Sequence, residues 1–454
     1  MIVDIPLQRR PEGCAVPLTA GQRRRYTLLQ AEPQAREPRM VAASLRISGP
    51  LSVEILHRSL QVITERHDAL RTRITLIDGV PAQQIDDAYQ CPFDILDVSA
   101  FPMLSRELEA QRLAQAFVDE PVDLCMGPLF QAKLFRLTAD LHLLLILIHH
   151  IISDGVSYAI LNRELWTTYR QALGGSPMSL PPLPIQFADY AVWQERTYET
   201  WSRKHASYWN EYLAGARRVH FPRHELSHRS THPALALLTL PFEKALTEEL
   251  AEMARRERTL LSIVLLATHI AVVSVWCNQD DIVVAFVSHG RLGRAEFQNV
   301  VGCIANLLHL RVRILKNDTF ADLLKRVCIE LQSAYQHADY DRVLELLPAC
   351  PSELHFNWVP INWAAPSPQS SADADTTIDI QPLPIQPSNP RANSAFELLV
   401  APIVSPLGIV NHLWFRTDAL SASEVEQFGR NFTSFAAQFS RNALMRVSSC
   451  TLIP

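Results

Sequence analysis

Leu141-His142-Leu143-Leu144-Leu145-Ile146-Leu147-Ile148-His149-His150-Ile151-Ile152-Ser153-Asp154-Gly155 is the run from which the architecture can be read. Residues 141–148 are almost wholly apolar and bounded by polar neighbours, the pattern of a strand buried on both faces in an α/β architecture. Ser153 or Asp154 can then cap a helix running towards Leu173. His149 and His150 therefore fall where the strand ends and the chain turns. An imidazole held there is rigid yet able to face a cavity, and with an ordinary pKa near 6.5 it accepts a proton at neutral pH. Asp154 reads as a structural carboxylate paired with a distant Arg. Gly155 reads as a place where backbone approaches substrate and its N–H faces a developing oxyanion. Taken alone, an adjacent His pair before Asp-Gly is more often a turn than an active site. No further His or Cys stands at a spacing that would complete a zinc site.

Outward from this stretch the same alternation of helix and strand recurs. Helical signals cover Thr19–Gln30, capped by Thr19, then Leu51–Leu70 and Ser105–Phe117; strand signals cover Met40–Ile47, Arg71–Ile77 and Val80–Ile85. The Pro-rich run at 177–184 is a stiff connection, which places a boundary between a lobe at 1–176 and a second at 177–454. The second lobe predicts helices at Phe187–Leu213, Thr247–Arg258, Leu261–Trp276 and Ser423–Phe439. Its strands are expected at Ile282–Val287, Leu307–Ile314 and Leu413–Thr417. Residues 364–393 read as a mobile loop around one short strand, Thr377–Ile380.

Length and composition bound the function. A chain of 454 residues with 48% hydrophobic and 20% charged side chains is globular and long enough for two cores. Its 42 Lys plus Arg against 47 Asp plus Glu exclude a wholesale nucleic-acid binder. The eight cysteines form no CxxC pair, which fits a reduced, cytoplasmic protein. No signal peptide opens the chain, and Leu260–Trp276 is too short and too polar for a membrane span.

The residues 149–155 carry the HHxxxDG pattern, and the chain resembles the condensation domains of nonribosomal peptide synthetases. Pro17 to Tyr26, with Gln22, Arg24 and Tyr26 in place, is similar to that family's opening motif. Arg66-His67-Asp68-Ala69-Leu70-Arg71-Thr72 resembles RHExLRT, and Gln186 to Trp193 resembles YxDYAVW. Gln279 to Val284 with Ser288-His289-Gly290-Arg291, then Val301 to Asn306 and His337 to Tyr340, resemble later motifs in the family's order. The resemblance covers about residues 20 to 420. It departs before Phe356-Asn357-Trp358, where RDxSRNPL is not recognisable, and at Phe415-Arg416-Thr417-Asp418, where the family has YNTD.

The resemblance implies a pseudo-dimer of two chloramphenicol acetyltransferase-like lobes with a central tunnel. It implies His150 as general base beside His149, Gly155 and a structural Asp154–Arg291 ion pair, with Tyr26, Ser288, Asn306 and Asn357 as tunnel candidates. It implies no metal and no tightly bound cofactor, the phosphopantetheine arm of an acyl or peptidyl carrier protein delivering the substrate. The expected enzyme is a stand-alone monomer that meets its carrier in trans, through a docking element, and transfers an acyl group to an amine or hydroxyl, releasing a finished nonribosomal peptide or polyketide chain. The alternatives are a coenzyme A- or polyketide-associated acyltransferase, an epimerisation domain, and an inactive module that binds a carrier protein.

Overall fold

The computed structural model describes residues 6–31, 40–221, 234–291, 294–338, 354–358, 378–383, 396–405 and 408–453. In chain order the elements are β1 (Val16–Pro17), α1 (Ala20–Ala31), β2 (Met40–Ser48), α2 (Val53–Arg66), β3 (Thr72–Ile77), β4 (Val80–Ile85), β5 (Phe93–Asp97), α3 (Arg106–Asp119), β6 (Phe130–Thr138), β7 (Leu141–His149) and α4 (Gly155–Leu173). There follow α5 (Phe187–Tyr212), β8 (Leu235–Pro241), α6 (Lys244–Arg256), α7 (Leu261–Cys277), β9 (Asp281–Ser288), β10 (Asn306–Arg313), α8 (Phe320–Gln336), β11 (Leu354–Phe356), β12 (Asp379–Pro382), β13 (Leu398–Ser405), β14 (Gly408–Arg416) and α9 (Ala422–Arg441). These make two compact units, one of Met1–Tyr198, Arg291–Ala305 and Asn362–Pro390, the other of Glu199–Gly290, Asn306–Ile361 and Arg391–Pro454.

In the first unit a mixed sheet runs β12-β2-β7-β6-β5. Its centre is β7, apolar on both faces because both are covered. Leu144, Ile146 and Ile148 enter a core with Leu56, Leu60 and Ile63 of α2 and with Ile160 and Leu165 of α4. Leu143, Leu145 and Leu147 enter another with Ala110, Ala114 and Val118 of α3. Each fully buried Leu or Ile contributes about 1.5–3 kcal/mol. A smaller sheet, β1-β4-β3, completes the unit.

The second unit carries a six-stranded sheet, β10-β9-β11-β13-β14-β8, with β11 parallel to both neighbours and the other pairs antiparallel. One core gathers α6, α7, α8 and α9 against it. The helix α7 is apolar all round, which a helix can be only when it is enclosed. Among the described residues no single helix is long and apolar enough to cross a membrane.

The linear division expected at 176/177 differs from these interleaved units. The strand β12 hydrogen-bonds along Leu45–Ser48 and so caps an edge of the sheet that β2 would otherwise leave open. Residues 291–305 likewise return to the first unit. The short strand expected at Thr377–Ile380 is β12, displaced to Asp379–Pro382; most of the expected loop at 364–393 lies outside the described residues. The helix expected to run to Leu70 stops at Arg66, because His67 takes an extended conformation and Asp68–Arg71 form a 3-10 turn.

Candidate active site

The ladder of β7 delivers its last residue, His149, opposite Met40, and the His149 N–H donates to the Leu129 carbonyl at 2.8 Å. The chain then turns tightly. Ile152 N–H and Ser153 Oγ both donate to the His149 carbonyl, at 3.0 and 3.1 Å. This turn gives the two adjacent imidazoles opposite hydrogen-bonding duties. His149, buried, accepts from the Ile151 N–H at its Nδ1 (3.0 Å), so a neutral His149 ring carries its proton on Nε2. His150, half-buried, sets its Nδ1 2.9 Å from the Ser153 carbonyl. A carbonyl oxygen only accepts, so His150 Nδ1 holds the proton and Nε2 keeps its lone pair.

Surroundings keep that ring neutral. Burial, helped by the field of Arg25, pushes the His150 pKa down to about 4, while the Ser153 carbonyl and Asp154 pull weakly the other way. At neutral pH His150 is thus a proton acceptor aimed through Nε2.

Asp154 holds the loop. It is the N-cap of α4, and a capping box links it to Ser157: the Ser157 N–H and Oγ donate to Oδ1 at 2.9 and 2.8 Å. Arg291 grips the carboxylate bidentately, Nη1 to Oδ2 at 2.7 Å and Nη2 to Oδ1 at 3.1 Å, and its Nη2 also donates to the Val300 carbonyl. The N–H groups of Ile304 and Ala305 add two more bonds to Oδ2. Burial would raise the Asp154 pKa, but Arg291 and Ser157 outweigh it and hold the carboxyl below its ordinary range. The expected Asp154–Arg291 pair is therefore present, buried and fully hydrogen-bonded at the carboxylate. Gly155 is the first residue of α4, half-buried at the positive end of the helix dipole.

The geometry gives a part at the site to three residues, of which only Gln22 stands out in the sequence, and there only as a motif position. Gln22 is fully buried in α1 and donates from Nε2 to the Ile151 carbonyl at 2.9 Å, tying α1 to the histidine turn. Arg25 acts on His150 through its charge. Ser157 completes the cap, a role the Asp-x-x-Ser spacing of 154–157 advertises. Tyr26 stands in α1 too, half-buried and packed against the core of the first unit.

Ser288, Asn306 and Asn357 belong to the second unit. Register pairs Ser288 with Asn306 at one end of the β9–β10 ladder. Asn306 is occupied on both sides of its amide, Nδ2 donating to the Ala338 carbonyl (2.8 Å) and Oδ1 accepting from Leu307 (2.7 Å). Ser288 Oγ accepts from the Gly290 N–H at 3.3 Å, and Asn357 follows β11, its N–H donating to the Val400 carbonyl.

Among the described residues no three His, Cys, Asp or Glu side chains gather as a metal ion requires. A family model described as "Condensation domain" matches residues 14–454. Phosphinothricin tripeptide synthetase PhsC of Streptomyces viridochromogenes is 36% identical over 329 residues, 71% of this chain and 30% of that protein. The chain thus spans less than a third of that relative. Among solved structures, the X-domain from teicoplanin biosynthesis superposes with a TM-score of 0.81 at 20% identity, covering 99% of this chain and 100% of that one. The first condensation domain of the calcium-dependent antibiotic synthetase, in complex with a substrate analogue, gives 0.78 at 20% identity, covering 97% and 100%. Both share the fold, a mixed α/β architecture. With the family model matched along nearly its whole length, the chain belongs to the condensation-domain family.

Proposed function

We propose that the chain transfers an acyl group from a thioester on a carrier protein's phosphopantetheine arm to an amine or hydroxyl acceptor. His150 Nε2 takes the acceptor's proton as the acceptor nitrogen or oxygen attacks the thioester carbonyl. The carbon–sulfur bond breaks, a carbon–nitrogen or carbon–oxygen bond forms, and the proton passes on to the departing thiolate, which leaves as the thiol. The Gly155 N–H, at the start of α4, is the proposed donor to the oxyanion that forms in between. The observation that carries this reading is the His150 Nδ1–H bond to the Ser153 carbonyl, which leaves Nε2 as the acceptor. Such a positioned base is worth typically 10²–10⁴-fold in rate.

Intact-protein mass spectrometry of an acyl-loaded carrier protein, mixed with this chain and with amine and alcohol acceptors, tests the reading. Acceptor-dependent loss of the acyl mass from the carrier is the expected result. Consumption of an acyl-coenzyme A with the loaded carrier untouched would overturn the assigned donor. A carrier that binds and keeps its acyl group would make the chain a binding module.

A further inference from the structure

The strongest unused feature near the histidine turn is a cation. Three arginines follow one another in α1, and they are not equivalent. Arg23 is neutralised by Glu195, Nη1 to Oε2 at 2.9 Å. Arg24 occupies the motif position and has interactions of its own. Arg25 is half-buried and has no carboxylate within ion-pair distance among the described residues.

Helical spacing fixes where Arg25 points. Residues three apart share a helix face, so Arg25 lies one turn along from Gln22, on the face that Gln22 ties to the Ile151 carbonyl. Its charge accordingly reaches the imidazole of His150. A half-buried guanidinium without a counter-charge is costly to hold, and it is offset when a ligand brings the anion.

We infer that Arg25 is an anion subsite beside His150 that binds the carboxylate of the acceptor, so that the acceptor is a free α-amino acid or a similar amino-carboxylate. This rests on the acyl-transfer reading above. The nucleophile must lie at His150 Nε2 when it loses its proton, and in an α-amino acid the carboxylate sits on the neighbouring carbon. An amino acid already loaded on a carrier has lost that charge, because its carboxyl is a neutral thioester. The phosphate of the arm lies at the far end from the reacting sulfur, many bonds from His150. An acceptor with a free carboxylate also means that the product leaves the carrier, which makes the step a release.

The test offers the common amino acids as acceptors in two forms, the free carboxylate and the primary amide, to wild type, Arg25→Leu and Arg25→Lys with the same acyl-loaded carrier. The wild type should use the best carboxylate at least about tenfold more efficiently than its amide, as suits one charge-assisted contact. Arg25→Leu should bring that ratio close to one, chiefly through KM, and Arg25→Lys should restore part of it. Equal use of both forms by the wild type, or an undiminished ratio in Arg25→Leu, would overturn the subsite. If no acceptor is acylated, the acyl-transfer reading fails, and calorimetric binding of the same pairs judges the subsite separately. There, carboxylate preference lost in Arg25→Leu supports it, and absence of preference overturns it.

Discussion

Two desolvated histidines, one in each compact unit, show what separates an imidazole fixed by a hydrogen bond from a merely perturbed one. Burial pushes His150 down to about 4 and His269 down to about 3. By basicity alone the second would look the more unusual. Yet His269 is wholly enclosed in α7, its ring centroid 5.7 Å from that of Phe356 and 5.8 Å from that of Phe428, and neither of its nitrogens has a hydrogen-bond partner among the described residues. His150 is only half-buried, and one nitrogen is fixed by the Ser153 carbonyl. A lowered pKa records desolvation in both places; of the two rings, only that of His150 has its tautomer selected by a hydrogen bond.

The largest effect expected from this contrast is on rate. His150→Ala should lower acyl transfer by about 10²–10⁴-fold with little change in melting temperature, while His269→Leu should leave transfer intact. Equal losses in both variants would erase the distinction. Next comes the pair that holds the histidine turn. Asp154→Ala leaves Arg291 buried without its carboxylate and should destabilise the fold by about 3–5 kcal/mol, with activity lost as well; an unchanged melting temperature would deny the pair its structural role.

His269→Leu should do the reverse and stabilise the second unit by about 1–3 kcal/mol, since it removes a buried polar group that makes no hydrogen bond among the described residues. The sign with pH follows. Unfolding lets His269 regain its ordinary pKa of 6.5, so below pH 6.5 the unfolded chain binds a proton that the folded one refuses until about pH 3. Wild-type stability should therefore fall across that window, and His269→Leu should flatten this part of the acid limb in pH-dependent denaturant melts. The smallest effect is at the cap: Ser157→Ala should cost about 1 kcal/mol, seen as a modest shift in the urea midpoint.

The sequence was legible where one physical cause dominated. A run such as Leu141–Ile148 can be apolar throughout only if both faces are covered, and α3 on one side with α2 and α4 on the other cover it. Asp154 announced itself as a cap. The strand β13 was hidden because Pro402 reads against an interior strand. The structure tolerates it because β11 pairs only with Leu398–Val400, so the missing N–H at Pro402 breaks no bond to that neighbour. The Arg291 partnership spans 137 residues, which no local pattern can supply, and it came from family resemblance alone. The tautomer of His150 was beyond sequence altogether, since it depends on how one turn aims the Ser153 carbonyl. That Arg25 has no carboxylate at ion-pair distance among the described residues was equally invisible, because the surroundings of a charge are a property of the folded neighbourhood.

Everything proposed for the site turns on His150 being a neutral ring with its proton on Nδ1 and an open Nε2. Nitrogen NMR of the protein labelled in its histidine rings, assigned by comparison with His150→Ala, reads this directly. At pH 7 His150 should show a protonated Nδ1 and an unprotonated Nε2, a neutral His149 ring should show the opposite arrangement, and His150 should gain its second proton only as the pH approaches about 4. An imidazolium at pH 7, or a proton residing on His150 Nε2, would rule out His150 as the base.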